Sequence, residues 1–129
     1  MAAEVTVTGQ KKMSTLQAEF TDCFPNLGLM FFSEEEYEKS KTGAKIHPLN
    51  PDQTLASVRT KTSGGDISMH GRTHVGNIEK AFLDGYGLYV QICVSVGGKK
   101  SYTTGKYDSM SLTEISSKAE SDGWDKWTY

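Results

Sequence analysis

The chain has 129 residues, 36% of them hydrophobic and 23% charged, with a formal net charge of −2. That is enough for one domain with a real core and too apolar for a disordered chain. The slightly acidic balance argues against a surface built chiefly to neutralise nucleic-acid phosphates, and no apolar run approaches the ~20 residues needed to cross a bilayer.

The first residues, "MAAEVTVTGQKK", lack the apolar stretch of a signal peptide, so a reducing, cytoplasmic location is expected. Cys23 and Cys93 are far apart among apolar neighbours and are expected to be small buried side chains rather than a disulfide or metal pair. "VTVTG", 5–9, alternates apolar and polar residues and ends on a glycine, which predicts a half-buried strand and a turn. Met13, Leu16, Phe20 and Phe24 then follow helical spacing, with Gln17, Glu19 and Asp22 on the opposite, solvent-facing side. Ser14 and Gln17 are spaced as a capping box. "LGLMFF", 27–32, predicts a strand, "SEEEYE", 33–38, a solvated acidic loop, and Lys45–Leu49 a short strand. "NPDQTLASVR" offers Asn50 as a helix cap with Pro51 in the first helical position.

After a joint at "KTSGGD", 61–66, the pattern recurs. "ISMHG" repeats the strand and glycine, and Val75, Ile78, Phe82 and Tyr86 repeat the apolar stripe 62 residues after Met13, Leu16, Phe20 and Phe24. "LYVQICVSV", 88–96, alternates cleanly, predicting a strand with one packed face and one nearer water. "VGGKKS" reads as a turn and "SYTTG" as a short returning strand. Ser111 with Glu114 predicts a capped final helix, and Leu112 with Ile115 repeats the spacing of Leu55 with Val58.

The expected fold is therefore α+β, a single domain spanning 1–129. It is read as a pseudo-symmetric internal duplication of a β-α-β(β)-α unit, with repeats at about 4–60 and 66–118. Helices are expected on one face of a largely antiparallel sheet, since a unit of that size buries too little alone. "DGWDKWTY", 122–129, forms an aromatic tail.

No residue set suggests catalysis, a cofactor or a metal. His70 and His74 lie four apart but across a strand end, and no nucleophile motif ties a serine to a histidine and an acid. The first functional reading is a non-catalytic protein-binding or regulatory module that also self-associates as a homodimer. Met30 and Phe32 point away from the core face of their strand, and Trp124, Trp127 and Tyr129 supply aromatic anchors. These five are the candidate partner-binding residues. The tail has two expected fates, completing the core or forming that interface.

The alternative is a binder of a small phosphorylated ligand or nucleotide. Its sites would be the two strand-to-helix turns, carrying Lys11 and Lys12 or Arg72 and His74, where a helix start favours anions. Third comes nucleic-acid binding through Arg59, Lys61, Arg72, Lys99, Lys100 and Lys106 with Tyr102 and Tyr107.

Overall fold

The structure is a computed structural model that describes residues 4–43, 47–61, 67–103 and 107–129. The elements are β1 (Glu4–Val7), α1 (Met13–Cys23), β2 (Leu27–Ser33), α2 (Glu34–Ser40) and α3 (Leu55–Val58), then β3 (Ile67–His70), α4 (Val75–Tyr86), β4 (Leu88–Val96), β5 (Lys99–Tyr102) and α5 (Leu112–Asp122). The fold is α+β and every strand pairing is antiparallel. The strands form two sheets where one was expected, a β1–β3 ladder and a three-stranded sheet ordered β2–β4–β5.

Helices α1 and α4 form for the reason their sequence gives. Met13, Leu16 and Phe20 on α1, and Val75, Ile78, Phe82 and Tyr86 on α4, are all buried. They meet Leu27, Leu29 and Phe31 of β2 and Val90, Ile92 and Val94 of β4, with Val5, Val7 and Met69 of the small ladder joining the same core. Full burial of each such side chain contributes roughly 1.5–3 kcal/mol, so the stripes account for much of the cohesion between layers.

Local geometry recurs between the halves. Met13 N–H donates to Gln53 and Val75 N–H to Met110; Leu55 N–H donates to Lys11 and Leu112 N–H to Thr73; Ala56 N–H donates to Gly9 and Thr113 N–H to Gly71. Each pair of bonds connects positions that correspond at the sequence offsets of 62 and 57. Isolated bridges join Lys12 to Thr54 and His74 to Ser111 in the same way. Thr6 and Ser68, themselves 62 apart, face each other across the small ladder. Lengths do not recur: α3 is one turn where α5 has 11 residues.

Several local expectations need correction. The acidic stretch is a helix rather than a loop, because Ser33 accepts the Glu36 N–H as an N-cap and three glutamates occupy the first turn, where the helix dipole favours them. The caps of α1 and α3 are Lys12 and Thr54, not Ser14 and Asn50; Asn50 instead holds a turn through its contact with the Asp52 N–H. Gln17 is buried and not solvent-facing. The strand expected at Lys45–Leu49 falls partly outside the described residues, and 47–49 are not strand. Residues 62–66 of the joint also lie outside them.

Candidate functional site

Alternation along β2 and β4 sends Gly28, Met30 and Phe32, with Tyr89, Gln91, Cys93 and Ser95, to the sheet face opposite α1 and α4. The β4 residues on this back face were expected near water, yet all four are buried. The cover is shared: Tyr37 of α2 stacks on Tyr89 with ring centroids 4.0 Å apart, and the C-terminal tail lies over Ser95 and Gly28. After Gly123 ends α5 in the left-handed region (φ 72°), the chain turns back across the sheet. Asp125 N–H donates to Ser95, and its carboxylate accepts from the Ser95 hydroxyl at 2.9 Å and the Gly98 N–H at 2.7 Å. Those bonds hold the Asp125 carboxyl below its usual range. Asn26 donates to the Trp124 and Asp125 carbonyls, and Trp127 N–H donates to Pro25. The Trp127 indole then lies against Gly28, where any Cβ would collide with it.

Between this tail, the back face and the 48–51 loop lies a cleft of about 770 Å³. Met30, Leu49, Tyr102 and Trp127 form apolar walls, Cys93 also lines it, and among the described residues Lys100 is the charged side chain of the lining. The volume lies within the ~300–1,000 Å³ common for ligand sites. Burial pushes the Cys93 thiol up to about 12, which leaves it protonated at neutral pH and unsuited to nucleophilic chemistry. The Trp127 indole N–H has no hydrogen-bond partner among the described residues.

Of the five partner-binding candidates, Met30, Trp127 and Tyr129 are brought together here. Phe32 is fully buried, its ring edge-on to Tyr102 at 5.8 Å, so it supports the wall rather than facing a partner. Trp124 stands apart, in a recess of about 370 Å³ that it lines with Tyr107, Val96 and Lys118. Both recesses include Ser101 and Tyr102, and so flank β5 from opposite faces.

The two edges of the three-stranded sheet differ. Along β2, the Leu27 carbonyl accepts from the Thr21 hydroxyl, the Leu29 carbonyl from the Gln17 amide at 2.9 Å, and the Phe31 carbonyl from the Leu49 N–H. Leu29 N–H donates to the Tyr129 hydroxyl at 3.0 Å. That edge is closed from Leu27 to Leu29 and at the Phe31 carbonyl. On the other side, Gly97 and Gly98 have φ of 59° and 80°, the left-handed pair that a tight two-residue hairpin requires. Thr103 N–H donates to the Ile92 carbonyl, which fixes the alternation so that Lys99 and Ser101 face β4 while the main-chain groups of Lys100 and Tyr102 face outward. β5 is the last strand on that side, and no described residue pairs with those outward groups. Sequence patterning expected the hairpin but placed 99–101 in its turn and the returning strand at 101–105. Instead β5 is Lys99–Tyr102, and 104–105 lie outside the described residues. The pattern did not show this edge, because edge exposure depends on which strands become neighbours.

The anion-binding candidates are not brought together. Antiparallel pairing of β1 with β3 puts the Lys11–Lys12 and Arg72–His74 turns at opposite ends of that ladder. Met13 and Ser14 N–H donate to Gln53 and Pro51, and Val75 and Gly76 N–H to Met110 and Asp108. Backbone carbonyls thus occupy the first two donors of each helix, which an anion would otherwise use. Lys11 is further held by Glu19 at 2.9 Å and by the Thr6 carbonyl.

The basic set read for nucleic acid is scattered. The Arg59 guanidinium lies 3.8 Å from the Tyr86 ring centroid and donates to Gly85, whereas Lys99 and Lys100 are on β5 and Arg72 is on the small ladder's turn. Lys106 falls outside the described residues. Among the described residues no group of three or more His, Cys, Asp or Glu is placed to hold a metal, and none of their helices is long and apolar enough to cross a membrane. Glu79 pairs poorly with its surroundings: burial, reinforced by the Asp108 charge, pushes its carboxyl up to about 7, and Glu79 Oε1 and Asp108 Oδ1 are buried without partners.

No protein-family model, curated protein or solved structure matches this chain.

Proposed function

We propose that this protein is a non-catalytic protein-binding module whose partner inserts an apolar side chain into the back-face cleft. One observation carries the reading: an open apolar cleft of about 770 Å³ is walled by Met30, Trp127 and Tyr129 on a buttressed sheet. A hollow of that kind surrounded by aromatic and methionine side chains suits a hot-spot anchor, which gains most where water is excluded around it. The cleft also lacks the paired acids, activated nucleophile or metal cluster that catalysis would need among the described residues. Our reading of the chain's origin is two copies of one unit, supported by the hydrogen bonds that recur between the halves.

The test is selection of displayed random heptapeptides on the intact chain, followed by counter-selection on Met30→Trp, which fills the cleft from a half-buried position. Enriched peptides should share an apolar residue and fail to bind the filled variant. Equal binding to both proteins would remove the cleft from the account.

A further inference from the structure

The cleft, the outward main-chain groups of β5 and the smaller recess lie along one another. We infer that the partner segment binds as an extended strand added antiparallel or parallel to β5, sending alternate side chains into the two recesses. This deepens the protein-binding reading of the same cleft and rests on it.

Three observations converge. The outward N–H and C=O groups of Lys100 and Tyr102 are without protein partners among the described residues, so a peptide backbone could satisfy them. Tyr102 is 48% exposed, leaving the strand accessible. A strand laid beside β5 has the two-residue period of the sheet, so neighbouring side chains fall on opposite faces. Those faces hold unequal recesses, one of about 770 Å³ with Met30 and Trp127 and one of about 370 Å³ with Trp124, Tyr107 and Lys118. A side chain on the back face therefore meets an apolar hollow, and one on the front meets a smaller recess in which Lys118 is paired with Asp122 at 3.0 Å.

Charge decides the occupant. Two consecutive lysines stand on β5, Lys99 on the front face and Lys100 on the back. The Lys100 ammonium donates to the Thr128 carbonyl and lies 4.7 Å from the Trp127 ring centroid while keeping its charge. A second copy paired through the same edge would gather the lysines of both chains on one short ladder, and like charges across a ladder are destabilising. An acidic partner gains from them instead. The committed occupant is an extended segment of another protein, with apolar residues alternating with glutamate or aspartate.

The experiment uses the full chain and a set of synthetic peptides alternating glutamate with valine, leucine or phenylalanine, followed by fluorescence anisotropy. Each binding peptide is then remade with its odd amides N-methylated, and separately with its even amides N-methylated. Strand addition uses amides on one side only, so one series should lose about tenfold or more in affinity while the other changes little. Lys100→Pro and Lys100→Ala lose the same charge, but only the proline removes an outward N–H without disturbing an inward one, so it should bind about tenfold more weakly than Lys100→Ala. Equal tolerance of both N-methylated series, or no binding by any peptide at millimolar concentration, overturns strand addition. Equal tolerance combined with loss of binding in Met30→Trp leaves the cleft reading standing while removing this one. A concentration-dependent dimer abolished by Lys100→Pro identifies a second copy as the occupant and overturns the acidic partner.

Discussion

The two halves of the three-stranded sheet solve the same edge problem differently. On β2, Gln17, Thr21, Tyr129 and Leu49 supply the missing hydrogen-bond partners one by one. On β4, the hairpin strand β5 pairs with residues 93–96 and moves the unpaired groups of that stretch one strand further out. An exposed edge is an aggregation hazard unless it is short, charged or used. Here β5 has four residues and begins with two lysines. The contrast explains why a partner would meet this side of the molecule and not the other.

The largest expected effect breaks the cover shared by both edges. Gly28→Val places a side chain where the Trp127 indole lies, so the tail must leave the back face. Loss of that buried aromatic should cost about 3 kcal/mol or more in urea unfolding, with tryptophan emission shifted to the red. A variant as stable as the parent would contradict the tail's role as a structural layer.

Opening the closed edge should cost less. Gln17→Leu leaves the Leu29 carbonyl buried without its amide, and Tyr129→Phe leaves the Leu29 N–H without its hydroxyl. Each should destabilise by about 1–3 kcal/mol, measured by the same unfolding. Matching changes on the β5 side, such as Lys99→Ala, should stay within about 0.5 kcal/mol, as expected for an exposed position.

The interior of α4 adds a pH dependence. Glu79 has a folded-state pKa raised from 4.5 to about 7, so the protonated form favours the fold. Its contribution is fully present below 4.5 and is lost as pH rises through about 7. Because the carboxyl is only partly buried, solvent screening reduces the effect to about 1 kcal/mol. Glu79→Gln should therefore stabilise the protein at pH 8 and change little at pH 4, and Tm against pH distinguishes the two. Asp125 acts with the opposite sign, since its lowered pKa means the tail's anchorage is lost as pH falls through the acid range.

The smallest contrast compares equivalent caps. Ser111 forms a full capping box with Glu114 on a helix of 11 residues, whereas Thr54 caps a single turn. Ser111→Ala should cost about 1 kcal/mol and Thr54→Ala about half as much, both read from Tm.

What sequence made visible follows from how local each cause is. The stripe Met13, Leu16, Phe20 and its counterpart Val75, Ile78, Phe82 are periodic, and α1 and α4 form where that period places them. Ser111 and Glu114 are neighbours in sequence, so the final cap was legible. Ser33 with Glu36 carried a similar signal, masked by the charge of the stretch. The back face was misread because its cover comes from far along the chain, Tyr37 of α2 over Tyr89 and Trp127 over Gly28. Gln17 looks solvent-facing by helical period and becomes buried only because β2 needs a partner for Leu29. Candidate residues Met30, Trp127 and Tyr129 converge, but the outward groups of Lys100 and Tyr102 are main-chain features that no residue type announces.

Residue-resolved amide hydrogen exchange of the unliganded chain compares the two edges within one sample. The account predicts strong protection at Leu29, whose N–H meets the Tyr129 hydroxyl, and little protection at Lys100 and Tyr102. Slow exchange at Lys100 and Tyr102, matching that at Leu29, would show their edge already occupied and contradict the account.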